Sequence, residues 1–491
     1  MANMPPDIWL YVADFIPDKV IYQLRCVNSV FLELAINIRW KEVTISTKQI
    51  YEAKKILDRI SDPYISVRVR ALTIHLASWE PSQNGLVLAP STQHNIDYAR
   101  RETTRKYNPT STKLGLRSSD ASNSIMNSLL NTCAGLTSLR KLTLDFSSIS
   151  PVSSPQLGFG LFIRSLWPLV RKKLRHLFLK GTAQGYCTVL ASRPTFPNLK
   201  ELGMDLTVDP KLIGDCENSK ASVLMDTLVP FLGKVNSRLE ALRIKSQPCH
   251  SIPTDLSQLF IQMPFFPYLR TLEIRMPFNQ NLLDPSGLKN LLSKSSHNLE
   301  NVCLRLNPAG FSLPWALEGQ LIPWLSDCLT EPQTLSCIQV LDIYPTGGNC
   351  DIVLGYIRRA SKHLRSIVIR DRYFEADEVN LIIDAASHCP NLISLHLNIW
   401  ELDINLFDQL YMKLPRLESL RLSTVDSFVD GYPRLFVNKL GDRCYNGWKL
   451  ADISLCYGER EVDSRTMRAL ARSIPSVRSF FGRGHMRFEH H

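Results

Sequence analysis

Cysteine and histidine have the widest chemical repertoire in this chain, and their spacing limits what they can do. Of the 12 Cys, the closest two, Cys328 and Cys337, lie nine positions apart. No C-x-x-C occurs, which removes the usual signature of zinc ribbons, RING modules and thioredoxin-like redox pairs. The 11 His are dispersed. Cys249-His250 and His388-Cys389 are adjacent pairs, but no second pair sits at ligand spacing, so neither a metal nor a cofactor is expected. HExxH, GxSxG, EF-hand and Walker A patterns are absent, and Gly158-Phe159-Gly160 lacks the third glycine of a nucleotide loop. With no acid, base and nucleophile set, no catalytic residue and no enzymatic activity are expected. What remains is a family of cations, Arg243, Lys245, Arg275, Arg305 and Arg370, of which Lys245, Arg275 and Arg305 follow one another at intervals of 30 residues. Guanidinium forks match carboxylate and phosphate groups in a bidentate way.

The elements that carry those cations belong to one recurring theme: an apolar helix-period segment, a breaker, then a short L-x-x-L-x-L strand. DAASHCPNLISLHL, ending at Leu397, and DQLYMKLPRLESLRL, ending at Leu422, are the clearest copies. Strand frames begin at Val69, Leu139, Leu174, Leu199, Leu239, Leu269, Leu299, Ile338, Leu364, Leu392, Leu417 and Leu450, with partial copies at Trp40 and Val477. From Leu242 onward the second apolar positions are Leu272, Val302, Leu341, Ile367, Leu395 and Leu420. Their steps run from 25 to 39 residues, against a leucine-rich-repeat unit of about 20–29. In such a strand the L positions point inward and the residues between them face out. One outward column then reads Lys245, Arg275, Arg305, Tyr344, Arg370, on strands about 4.8 Å apart. That stripe is the candidate substrate-binding surface for an acidic or phosphorylated segment. The competing reading is a solvated face whose cations pair with Glu273, Asp342 and their neighbours.

The 491 residues, 44% hydrophobic and 21% charged, exclude a disordered, collagen-like or coiled-coil chain. Residues 81–130 are polar and rich in Ser, Thr and Asn, and are expected to form a loop or a disordered insertion. The net charge of +11 is diffuse and lacks the aromatic interleaving of a nucleic-acid groove, so no nucleic-acid partner is expected. No apolar run approaches the roughly 20 residues that span a bilayer. Met1 to Ile16 carries no basic residue and does not form a secretory start. A protein with reduced thiols in the cytoplasm, the nucleus or both is expected.

The segment MPPDIWLYVADFIPDKVIYQLRCVNSVFLELAINIRW reads as three short helices. Pro5 and Pro6 suit a helix start, and Ile8, Trp9, Val12, Phe15 and Ile16 fall on one helical face. Pro17 stops that helix, Asp18 can cap the next, and Asn28 or Ser29 can cap a third holding Phe31 and Leu34. A module this small must pack on something else.

These residues resemble the F-box: Met4-Pro5-Pro6, Ile8-Trp9, Phe15-Ile16-Pro17, Ile21, Leu24-Arg25-Cys26-Val27, Phe31 and Arg39-Trp40. Met4 stands where the family has leucine, and Ile16 where leucine commonly precedes proline. With leucine-rich repeats downstream, the chain resembles the F-box/leucine-rich-repeat proteins in their divergent, fungal-like form. The repeats depart from the usual motif, since Ser147, Thr207 and Val425 stand where an Asn or Cys normally tightens the turn. The resemblance implies an α/β leucine-rich-repeat solenoid, with parallel strands concave and helices convex, spanning 41–491 behind an all-α F-box module at 1–40. It also implies a non-catalytic substrate receptor of a Skp–cullin–F-box ubiquitin ligase, docking the Skp adaptor, and through it a cullin–RING ligase, while the repeats hold an unidentified target protein. Pro5, Pro6, Ile8, Trp9, Val12, Leu24 and Val27 are the candidate adaptor contacts; Phe15, Phe31 and Leu34 are expected inside the module. The alternative is a leucine-rich-repeat interaction scaffold with no ligase link, whose helices only cap the repeats.

Overall fold

Alternation of apolar and polar residues makes each strand frame a strand buried on one side, and all twelve full frames become strands starting two residues after their first apolar position. The computed structural model describes residues 5–76, 118–149, 156–207, 217–246, 255–306, 315–330, 335–343, 350–425, 433–458 and 460–482. The chain divides into two compact units, Met1–Lys173 and Leu174–His491.

The first unit opens with α1 (Pro6–Ala13), α2 (Asp18–Gln23) and α3 (Ser29–Lys41), which runs without a linker into β1 (Glu42–Ser46). There follow α4 (Ile50–Ile60), α5 (Pro63–Ser66), β2 (Ala71–His75), α6 (Ser118–Gly135), β3 (Lys141–Asp145) and α7 (Gln156–Val170). The direct join of α3 to β1 keeps the helical module and the first strands in one compact unit. β1, β2 and β3 pair in parallel, aligning Val43 with Leu72 and Leu142, and Ile45 with Ile74 and Leu144. All six are buried. Helix α4 covers its strands with Ala53, Leu57 and Ile60, spaced to share one face.

One sequence expectation is corrected here. The polar insertion ends earlier than residue 130, because 118–130 belong to α6. Its Ile125, Leu129 and Cys133 recur every fourth residue and are buried, a period obscured by the Ser and Asn between them. Residues 81–117 lie outside the described residues. Gly158-Phe159-Gly160, already discounted as a nucleotide loop, lies within α7.

The second unit repeats one strand–helix step. Its strands are β4 (His176–Gly181), β5 (Glu201–Leu206), β6 (Ala241–Ser246), β7 (Thr271–Arg275), β8 (Asn301–Arg305), β9 (Val340–Ile343), β10 (Ser366–Phe374), β11 (Ser394–Ile399), β12 (Ser419–Thr424) and β13 (Asp452–Tyr457). Each pairs in parallel with the next. The register aligns Leu202, Leu242, Leu272, Val302, Leu341, Ile367, Leu395, Leu420 and Ile453 in one continuous row. This stacking of L positions is the leucine-rich-repeat arrangement. Helices cover the buried side: Asp351–Ala360, for example, contributes Ile352, Val353, Tyr356, Ile357 and Ala360.

The missing asparagines at the strand exits are offset at the opposite edge, where the chain enters each strand. Asn298 Nδ2 donates to Pro267 O (2.7 Å), Asn391 Nδ2 to Lys362 O (2.9 Å), Arg416 Nη1 to Pro390 O (3.0 Å) and Trp448 Nε1 to Leu414 O (3.0 Å). Each bond ties one repeat to its predecessor, and a typical one contributes about 1 kcal/mol.

Candidate functional site

The first candidate surface is the helical module. Pro6 occupies the first turn of α1, where its missing N–H costs nothing. Asn28 caps α3, its Oδ1 accepting from Phe31 N at 2.9 Å. Asp18 lies inside the first turn of α2 with Pro17 at the cap position, so it supplies negative charge near the helix start and no side-chain cap bond. Phe31, Ala13 and Ile21 form a small core, with Trp9, Ile16, Leu24, Leu34 and Ile38 packed against it. Trp9 meets the Phe31 ring edge-on, centroids 5.5 Å apart.

This arrangement corrects the sequence reading on both sides of the module. α1 ends at Ala13, since Pro17 disfavours a helical Ile16. Phe15 N then bonds Val12 O and Ile16 N bonds Ala13 O, tightening the exit turn and carrying Phe15 outward, where it is 73% exposed. Ala13 takes the inner place that Phe15 was expected to hold. Of the candidate adaptor contacts, Trp9 and Leu24 lean on the core and are half-buried. Pro5, Pro6, Ile8, Val12 and Val27 are exposed, Ile8 at 46% and Val27 at 55%. Leu10, Tyr11, Val20 and Leu32 are also exposed, and the sequence reading had not singled them out. They sit where helix period leaves them facing solvent on short helices, which apolarity alone does not reveal.

The second candidate surface is the outward strand face of the second unit. The register places Lys245, Arg275 and Arg305 side by side on β6, β7 and β8, as the spacing predicts. Carboxylates gather them into two networks. Glu273, 4% exposed, takes Arg243 Nη1 at 2.7 Å, Lys245 Nζ at 3.0 Å and Arg275 Nε at 2.6 Å. Arg243 reaches back through Nε to Glu201 Oε1 (2.6 Å), whose other oxygen lies 2.8 Å from His176 Nδ1. Burial pulls the Glu273 carboxyl upward, but Lys245, Arg275 and Arg243 together outweigh it and hold it below its ordinary value.

In the second network Asp342 accepts from Arg305 Nε and Nη2 (3.0–3.1 Å), lies 3.7 Å from Arg370 Nη2 and takes the Cys303 thiol at 3.3 Å. The Arg305 side chain is only 10% exposed. Its expected role in substrate binding is therefore corrected: the adjacent strand supplies Asp342 at bonding distance, and Arg305 serves as an internal ion pair. Arg243, Lys245, Arg275 and Arg370 keep partly open guanidinium or ammonium edges. Five cations against Glu201, Glu273 and Asp342 leave two positive charges uncancelled. Tyr344 lies outside the described residues.

Next to Arg370, Tyr373 and Trp400 pair at 6.0 Å. His396, on β11, is buried among cations: desolvation first, then Arg421 and Arg305, push its imidazole down to about 4, so it is neutral at pH 7. His388 Nδ1 sits 2.8 Å from Asp384 O and Cys389 is buried, which gives both local structural roles; Cys249-His250 lies outside the described residues. Among the described residues no cluster of His, Cys, Asp and Glu could hold a metal ion, and no helix is long and apolar enough to cross a membrane.

No protein-family model and no curated protein matches the chain. Among solved structures it is similar to the chain in a TLR13–ssRNA13 complex, at 12% identity and a TM-score of 0.31, covering 71% of this chain and 46% of that one. It is also similar to a Bacteroides fragilis protein at 12% identity and a TM-score of 0.30, covering 76% and 72% of the two chains. The chain thus spans less than half the length of the TLR13 chain. At this level of likeness neither structure bears on function.

Proposed function

We propose that this protein is the substrate receptor of a Skp–cullin–F-box ubiquitin ligase. The observation that carries the reading is the apolar surface of α1–α3: Ile8, Val12, Phe15 and Val27 are all exposed on a module that follows the F-box residue pattern. A cap that only sealed the repeats would turn such residues inward, whereas a docking module leaves them for its partner. The strand face of the second unit then holds the target, and its uncancelled positive charge favours an acidic segment reaching Lys245, Arg275 and Arg370. The receptor performs no chemistry; it supplies proximity between target and transferring enzyme.

The test is co-purification of the full chain with the Skp adaptor, native and as Ile8→Asp/Val12→Asp. Retention by the native chain and loss in the variant, with the circular dichroism spectrum unchanged, is the expected result. A native chain that retains no adaptor would leave α1–α3 as a cap and the repeats as an interaction scaffold without a ligase.

A further inference from the structure

Away from the strand face, on the edge where the chain enters the strands of the second unit, consecutive repeats leave two hollows. One, of about 230 Å³, is lined by Tyr268, Arg270, His297, Glu300, Gln339 and His363 among others. Its arginine is matched, since Arg270 Nη1 lies 3.6 Å from Glu300 Oε1. The other, of about 260 Å³, is lined by Arg365, Pro390, Asn391, Ile393, Arg416, Glu418 and Lys449. It has three cations and one carboxylate, and its ionic groups are left open. Arg416 gives one Nη1 hydrogen bond to Pro390 O. Among the described residues, Arg365, Glu418 and Lys449 make no side-chain hydrogen bond or ion pair.

The repeat generates this hollow. Arg365 directly precedes β10 and Glu418 directly precedes β12, while Asn391, Arg416 and Lys449 each stand three residues before β11, β12 and β13. Parallel register therefore gathers side chains from four successive repeats around one point. The main-chain donors are already used: Ile393 N and Ser394 N both bond Arg365 O, and Glu418 N and Ser419 N both bond Ile393 O. Recognition there falls to side chains, two of them guanidinium forks and one an ammonium.

We infer that this hollow binds a phosphoryl group, with Arg365 and Arg416 as forks, Lys449 as a point charge and Glu418 setting an upper limit on affinity. A dianionic phosphoryl group balances the two surplus charges, and arginine presents paired donors to two of its oxygens. A single carboxylate would leave one positive charge over. The site is separate from the strand face and stands whether or not α1–α3 dock an adaptor.

The full chain is titrated by calorimetry with inorganic phosphate and, separately, with a phosphoserine peptide whose flanking residues are neutral. Arg365→Gln/Lys449→Gln is expected to weaken binding about tenfold or more, the usual scale for loss of charge-assisted hydrogen bonds. Glu418→Gln is expected to tighten binding several-fold, a gain that misfolding cannot produce. Arg270→Gln, in the matched hollow, is expected to leave it unchanged. Binding of both ligands shows that the free ion suffices, and binding of the peptide alone points to a protein-borne phosphate; either supports the site. No binding of either ligand, or equal weakening by Arg270→Gln, overturns it.

Discussion

At the scale of single residues, Phe15 and Phe31 separate folding from docking. Phe31 is 2% exposed beneath Trp9, so Phe31→Ala is expected to cost about 3–5 kcal/mol as a buried aromatic truncation. Phe15→Ala, on an exposed ring, is expected to stay within about 0.5 kcal/mol while weakening adaptor retention. Urea denaturation read by circular dichroism, set beside co-purification, distinguishes the two. Glu273 gives a prediction in pH. Its folded carboxyl lies below the ordinary 4.5, so it contributes stability above that value and loses it as pH falls through the lower folded value. Glu273→Gln removes this contribution, so its melting temperature should change less than the native one below pH 4.5. An equal acid response in both proteins would show that the cations do not depend on Glu273. The cations were legible in sequence from their spacing. Their buried partners were legible only as candidates, because which carboxylate lies against which guanidinium depends on strand register and burial.

At the scale of elements, the strands were the most legible part of the chain and the ends of its short helices the least. A period of two with Leu at the inner positions leaves a strand little choice of face, and all twelve frames became strands. Helix α1 shows the opposite: a proline four residues beyond Ala13 shortened it, and one lost turn exchanged Phe15 for Ala13 in the core. Helix α6 was missed at its start because Ser and Asn outnumber its apolar positions there. Two element-scale predictions follow from the ion pairs. Glu33 on α3 accepts from the Tyr64 hydroxyl of α5 and pairs with Arg68 Nη2 at 2.5 Å, and Arg68 stacks over the Tyr64 ring at 3.8 Å. Glu33→Ala should therefore speed amide hydrogen exchange in α5 and the nearby turn of α3, and leave β2 protected. On the strand face, Lys245→Glu/Arg275→Glu should abolish binding of a Glu-rich peptide while adaptor retention persists, since those residues lie in a different unit from α1–α3. Peptide binding that survives the double reversal would remove the strand face as the capture surface.

At the scale of the molecule, the net charge of +11 conceals its own arrangement. Part of it is neutralised by Glu273 and Asp342, and part is left open along the entry edge of the strands. The cysteines divide in the same way. Cys26 and Cys444 are exposed, while Cys133, Cys303, Cys350 and Cys389 are held by burial at about 11 to 12, far from the reactive thiolate. Brief maleimide treatment of the native protein at pH 7 should label the first pair and spare the other four, read by mass spectrometry. Labelling of Cys303 would mean that its strand opens readily. The composition revealed neither arrangement, since counts carry no register.

The ladder of side-chain bonds at the entry edge has a consequence for how the chain can change length. Five residues separate helix from strand at Gly135–Lys141, Val170–His176, Ser295–Asn301, Ala360–Ser366 and Lys413–Ser419. From strand to helix the distance runs from one residue between Gly181 and Ala183 to 42 between His75 and Ser118. Growth reaches further after a strand than before one, where the longest stretch is the twelve residues between Asp327 and Val340. New segments can be spliced in after a strand, or swapped between variants to alter what the neighbouring face recognises, while the stack beneath keeps its alignment.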